Sequence, residues 1–231
     1  MEMPYDYQGA IAAAQLLDGS GEERILQELD QACLDEEGRL KVMPADFYAS
    51  HPQLHLSLWC VRRGFYCLPT SELVDWLRVR IEGESAIEIS AGHGAIGRAL
   101  NIPITDSRLH EHPDIILHYG RLEQGVTKYP DDVERLTAAE ACEKYAPSVI
   151  IGAWVVHRYD PRHHDSQGGV RGVDEFAMLM KPFVTRYIHI GHRRVHAKKP
   201  LLRKLAPTEH ALPGLYDRPS DPGAVVWEWI K

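Results

Sequence analysis

The sequence predicts an α/β protein, a doubly wound, mostly parallel sheet with a short helical extension at its N-terminus. Three observations carry this. Residues 149–156 form a nearly continuous apolar run, the pattern of a strand whose two faces are both covered by helices. Short strand-like segments at 85–90, 102–105 and 186–190 alternate with stretches of helical spacing. At 86–100 a strand runs directly into glycines and then into a helix, so the chain turns sharply where a sheet edge meets the layer above it.

Taken in order, residues 8–17 and 21–36 read as helices separated by the turn Asp18-Gly19-Ser20-Gly21. The second places Ile25, Leu26, Leu29, Ala32 and Cys33 on one face and acids on the other. Residues 1–40 hold ten acids against Arg24 and Arg39 alone. With Gly38 and Pro44 as breakers, this predicts an acidic helical extension over 1–44 and a main domain over 45–231. Thr70 can cap the next helix, in which Leu73, Trp76, Leu77 and Ile81 recur at helical spacing. A strand at 85–90, a tight loop at 91–94, a short helix at 95–100 and a strand at 102–105 ending at Asp106 follow. A third strand is expected near 126–129. Thr137 and Glu140 fit a capping box, opening a helix to about 145. After the apolar strand at 149–156 come a helix at 173–180, a strand at 186–190 and an alternating terminal strand at 225–230.

Composition narrows the function. With 231 residues, 44% of them hydrophobic, the chain can bury one sizeable core. Its net charge of −7 argues against broad attraction to nucleic acid or an anionic membrane. Cys33, Cys60, Cys67 and Cys142 show no C-x-x-C spacing and read as free thiols of a reducing compartment. The first residues lack the basic and apolar regions of a signal peptide, and no apolar run reaches about 18 residues, so a cytoplasmic protein without a membrane span is expected. The histidines of His163-His164-Asp165 and of His189, His192 and His196 match no zinc spacing, and no metal is expected. The basic run at 193–204 (Arg193, Arg194, Lys198, Lys199, Arg203, Lys204) is a candidate for contact with the acidic N-terminal helices of the same or a neighbouring chain, a route to self-association.

The informative stretch is 86–106, AIEISAGHGAIGRALNIPITD. Gly92 and Gly94 permit close approach of backbone to a ligand, and the helix behind them offers free N–H groups. Through Glu88, Ser90, Gly92 and Gly94 the stretch resembles the first motif of the class I S-adenosylmethionine (SAM)-dependent methyltransferases, an acid followed by glycines at alternate positions, with Ser90 standing where the family has its first glycine. The resemblance implies a Rossmann-like fold with SAM as cofactor. It implies that Glu88 helps hold the methionine amino end, that Gly92 and Gly94 pass beneath the cofactor, and that Asp106 binds the ribose hydroxyls. It further implies an adenine contact from Asp132, with Val133 beside it and Asp131 as an equal candidate, after the third strand. Trp154, ending the 149–156 strand, would wall the methyl-transfer pocket, and His157 would be the general base. Arg158, Tyr159 and Asp160 would line the substrate mouth.

The methyl acceptor is not identified. No Pro-Pro-Tyr/Phe or Pro-Cys dipeptide of DNA-methylating enzymes occurs, so nucleic acid is not supported as substrate. An alternative is a SAM-binding or methyltransferase-like protein without transferase activity, acting as an interaction or regulatory module. A weaker one is nicotinamide or flavin binding, since 92–97 matches G-x-G-x-x-G, although Asp106 comes too early for that fingerprint.

Overall fold

A computed structural model describes residues 19–155, 173–219 and 222–231. The first helix, α1 (Gly19–Cys33), buries Ile25, Leu26, Leu29 and Cys33 against Tyr48 of α2 (Ala45–Ala49), Leu56, Trp59 and Cys60 of α3 (Gln53–Arg63), and Phe65. Its acids are not all solvent-facing. Asp30 accepts the Trp59 indole N–H at 2.8 Å and pairs with Arg63 at 2.6 Å, and Glu22 meets Arg62 at 2.7 Å. The acidic face that marks off an extension in the sequence is thus partly the seam between α1 and α3. Gly64, in the left-handed region at φ 73°, ends α3. Its pro-chiral hydrogen faces the backbone of Val126 and Thr127 so closely that a Cβ would stand 2.5 Å from the Val126 carbonyl carbon.

After β1 (Cys67–Leu68), α4 (Ser71–Ile81) starts as the sequence predicts, with the Thr70 hydroxyl accepting from the Leu73 N–H at 3.2 Å. Then come β2 (Ala86–Ile89), α5 (Ala95–Leu100), β3 (Thr105–Asp106), α6 (Pro113–Arg121), β4 (Glu134–Arg135), α7 (Ala138–Tyr145) and β5 (Val149–Ala153). The chain closes with α8 (Glu175–Leu179), β6 (Arg186–His192), α9 (Arg193–His196), α10 (Pro200–Lys204), β7 (Thr208–His210), β8 (Tyr216–Asp217) and β9 (Ala224–Ile230).

The main sheet has five strands in the order β2-β5-β6-β9-β7. It is mixed, which corrects the mostly parallel sheet expected. The pairs β2–β5 and β5–β6 are parallel, while β9 runs antiparallel to both β6 and β7. The departure has a local cause, because β9 follows β7 and β8 without a crossover helix among the described residues, and antiparallel neighbours need none. Alternation along the strands sends Ile87, Ile89 and Ile150 to one face, under α7, α8 and α10, and Val149, Ile151, Ile188 and Ile190 to the other, under α4 and α5. Helices therefore cover both faces.

Beyond β2 the ladder continues through short pieces. Glu88 bridges Ile104 in parallel, the Glu88 N–H donates to Pro103 O at 2.9 Å and the Ala91 N–H to Thr105 O at 3.1 Å. Strand β3 then pairs in parallel with β4. The expected third strand at 126–129 does not form. Thr127 there donates its N–H to His110 Nδ1 at 3.0 Å and its hydroxyl to Gly64 O at 3.0 Å, so that segment packs on the end of α3, and the strand lies at Glu134–Arg135 instead.

Candidate functional site

Glu88 sits in β2 opposite Ile151 of β5 and is 1% exposed. Its Oε2 accepts the Gly97 N–H at 2.7 Å, and a Cβ at Gly97 would stand 2.7 Å from that same oxygen. Gly97 therefore lets the first turn of α5 settle on the carboxyl group. Burial pushes the Glu88 pKa up to about 8, against the Gly97 hydrogen bond and the Arg98 charge, so the group is largely protonated at neutral pH.

The loop above it carries three residues in the left-handed region, Ser90 (φ 50°), Gly92 (φ 55°) and Gly94 (φ 67°). The two glycines do different work. A Cβ at Gly94 would lie 2.7 Å from Ile104 Cγ2 and 3.0 Å from Val133 Cγ2, so Gly94 is a packing requirement. A Cβ at Gly92 would meet only Thr127 Cγ2, at 3.6 Å, which leaves one side of that peptide open. His93 between them lies against Phe65 with ring centroids 4.4 Å apart, and burial pushes its pKa down to about 3.

Asp106, the last residue of β3, is brought to this loop. Its Oδ2 accepts the Gly92 N–H at 2.9 Å, its Oδ1 accepts the Arg108 N–H at 2.7 Å, and the Tyr129 hydroxyl also bonds to it. The carboxyl is 8% exposed, and burial raises its pKa despite these bonds.

Asp132 stands elsewhere than expected. It precedes β4 instead of following a strand, and both its oxygens are held by Arg98 of α5, at 2.7 and 2.8 Å, which lowers its pKa. Val133 is fully buried beneath Gly94. The residues at the carboxyl end of β4 are Leu136, whose N–H donates to Asp106 O at 3.0 Å, and Thr137, which forms the predicted capping box with Glu140. A two-residue strand leaves no apolar run to find, so its position was not readable from periodicity.

Strand β5 stops at Ala153, short of the 149–156 expected, and Trp154 follows it with its backbone at φ 56° and its N–H donating to Ile190 O at 2.8 Å. The indole lies 5.8 Å from the Tyr66 ring and 5.0 Å from His196, and its Nε1 is buried without a hydrogen-bond partner among the described residues. His157, Arg158, Tyr159 and Asp160 lie outside the described residues, as do His163, His164 and Asp165. Around the same strand ends the structure gathers residues that no motif announced. Tyr66 shares a 2.9 Å hydrogen bond with the Tyr119 hydroxyl, and His110 lies 4.7 Å from Tyr119 and 6.1 Å from Tyr66, ring to ring. No periodicity or motif in the sequence marks them.

The basic run at 193–204 is not one solvated surface. Arg193 pairs with Glu209 at 2.6 Å, and Lys199 is fully buried on Glu175 at 2.7 Å and on Val155 O at 3.2 Å. Lys204 covers the Phe176 ring. No group of three or more His, Cys, Asp or Glu side chains among the described residues is arranged to hold a metal ion. No protein-family model matches the chain, and no curated protein matches it.

Proposed function

We propose that this chain binds SAM over the 90–94 loop and acts as a SAM-dependent methyltransferase on an acceptor other than nucleic acid. The observation that carries the reading is the 2.9 Å bond from the Gly92 N–H to Asp106, which joins an acid at one strand end to a glycine loop at the next. In open α/β sheets ligands sit at the carboxyl ends of the strands, where the order of winding reverses. Appending β3 and β4 through the Glu88–Ile104 bridge gives the order β4-β3-β2-β5-β6, so the chain winds outward from β2 and then returns to its other side at β5. This supports the Rossmann-like, doubly wound reading for that part of the sheet.

The residues present suit SAM. The open side of Gly92 leaves room for a ligand against the backbone. Each Asp106 oxygen accepts one backbone donor and keeps lone-pair capacity for a ribose hydroxyl. Bound SAM supplies an electrophilic methyl group on a sulfonium. Trp154 would flank it, His157 would take the acceptor proton, and Glu88 acts from behind the loop by fixing α5 to β2. The Arg98 pair makes Asp132 a brace for the loop, which moves the adenine role toward the carboxyl end of β4.

A SAM-binding protein without transferase activity is the second reading. It is favoured by the extent to which the polar groups are engaged internally, Glu88 at 1% and Asp106 at 8% exposure. Nicotinamide binding is the weaker third. No described helix is long and apolar enough to cross a membrane. Calorimetric titration with SAM, S-adenosylhomocysteine and NAD tests the proposal. Binding of the two adenosyl compounds is expected, and no heat with either at millimolar concentration would refute it. Release of S-adenosylhomocysteine on incubation with SAM and cell extract separates an enzyme from a binder.

A further inference from the structure

Four rings, of which the cofactor reading uses Trp154 alone, stand together at the carboxyl ends of β2, β3 and β5. Tyr66, His110, Tyr129 and Trp154 are each half-buried. They adjoin the loop on two sides. Tyr66 follows Phe65, which touches His93, and the Tyr129 hydroxyl reaches Asp106 and accepts the His110 N–H at 3.3 Å.

Trp154 is the informative member. A bulky side chain at φ 56° is sterically strained, and such outliers persist where the surroundings over-determine them. Its ring lies against Tyr66, and its buried indole N–H, a donor only, has no acceptor among the described residues. A buried donor without a partner is costly, and a ligand atom that accepts would satisfy it. Charge of both signs stands nearby, with the Asp106 carboxyl on the Tyr129 hydroxyl. The fully buried Arg218 guanidinium lies 4.6 Å from the Tyr66 centroid. His110 is held neutral, its pKa pushed down to about 4 by burial and by that guanidinium. Rings gathered in this way favour a flat ligand that can stack on them.

We infer that Tyr66, His110, Tyr129 and Trp154 form the acceptor site, and that it takes a planar aromatic molecule with a hydrogen-bond acceptor at its edge for the Trp154 indole. This deepens the methyl-transfer reading and rests on it for the word acceptor, but the binding site itself can be tested alone. The probe is 2-naphthol, with cyclohexanol as the non-aromatic control, measured by equilibrium dialysis and saturation-transfer NMR on the full chain.

Wild type should bind 2-naphthol and discriminate against cyclohexanol. Trp154→Gly, which suits the left-handed backbone, should weaken 2-naphthol by about tenfold or more. Tyr66→Leu should do likewise as an independent variant, and Trp76→Phe, on α4, should change nothing. Absence of 2-naphthol binding at millimolar concentration, equal binding of cyclohexanol, or unchanged affinity in both site variants overturns the inference. SAM calorimetry on the same samples keeps the two readings apart. Naphthol binding without SAM binding supports the aromatic site while removing methyl transfer, and SAM binding without naphthol binding does the reverse.

Discussion

Glu88→Gln removes a single buried titration, and its effect follows from values already worked out. The Glu88 pKa rises from an ordinary 4.5 to about 8 on folding because burial disfavours the carboxylate. Between those two values the folded chain holds a proton that the unfolded chain has lost, so this group makes stability fall as pH rises from 4.5 to 8. His93 and His110 act oppositely, with pKa values pushed from 6.5 down to about 3 and about 4. The unfolded state binds the extra protons there, so stability is lost as pH falls below 6.5, and above 6.5 their contribution is constant. From pH 6.5 to 8 the Glu88 term therefore stands clear of the histidines. One pKa unit is worth about 1.36 kcal/mol, so the Glu88 proton by itself accounts for a loss of about 2 kcal/mol over that window, which the difference between the two proteins isolates. For a domain of this size that is a fall of roughly 4–8 °C in Tm. Gln keeps a carbonyl oxygen for the Gly97 N–H and carries no charge at any pH. The assay is thermal unfolding of both proteins at half-unit steps from pH 5 to 8.5, reading the difference between them. The variant should gain on the wild type steadily above pH 6.5. A pH-independent difference would show that Glu88 is ionised in the fold, and the account of the buried carboxyl would fail.

Asp106→Ala should cost both affinity for SAM and stability, since it strips the acceptor from the part-buried N–H groups of Gly92 and Arg108, at about 1 kcal/mol each; an unchanged Tm by calorimetry would show that water replaces the carboxylate. Lys199→Met leaves Glu175 buried without its cation and should destabilise by about 3–5 kcal/mol in urea unfolding, with Lys199→Met/Glu175→Leu recovering most of it; no recovery would show that the pair is not the cause. Removing residues 1–44 takes Ile25, Leu26 and Leu29 from the cluster around Trp59, at roughly 1.5–3 kcal/mol for each buried side chain, and should abolish a cooperative thermal transition; a sharp transition from the truncated chain would show that the extension is dispensable.

What was legible in the sequence is what local chemistry decides. Thr70 and the Thr137–Glu140 box cap helices because a short hydroxyl followed by helical spacing leaves few other uses for it. Val149–Ala153 is a central strand because nothing else buries that many branched side chains in so short a run. The approach of Asp106 to Gly92 follows from a short β-loop-α-β unit, whose two strand ends must lie side by side. The rest depends on partners distant in sequence. Strands β3 and β4, of two residues each, exist through ladder bonds and have no pattern of their own. The acids of α1 looked like a solvated face because Arg62 and Arg63, their partners, lie 40 and 33 residues further on. Lys199 looked like part of a basic surface because its carboxylate partner, Glu175, lies on another helix.

Backbone strain separates a glycine turn that merely packs strand on helix from one built around a ligand. Six non-glycine residues among those described lie in the left-handed region, at φ between 40° and 56°. Asn101 and Ala146 follow the last residues of α5 and α7, where a left-handed cap satisfies terminal carbonyls. Glu123 closes the turn after α6 with its N–H on Gly120 O, and Arg108 is held by the Asp106 carboxylate. Each of these four has a local structural reason. Ser90 and Trp154 cap no helix, and they share a location. Ser90 directly follows Ile89 of β2, which pairs with Gly152 of β5, and Trp154 stands two residues past that glycine. They end neighbouring parallel strands at the point where the winding reverses. Strain of about 1–3 kcal/mol at each falls at the two strand ends that the proposed ligand would touch, which is where a preorganised site would place it. A Trp154→Gly chain that is more stable than wild type and binds neither SAM nor 2-naphthol would be the plainest sign that the strain is held there for binding.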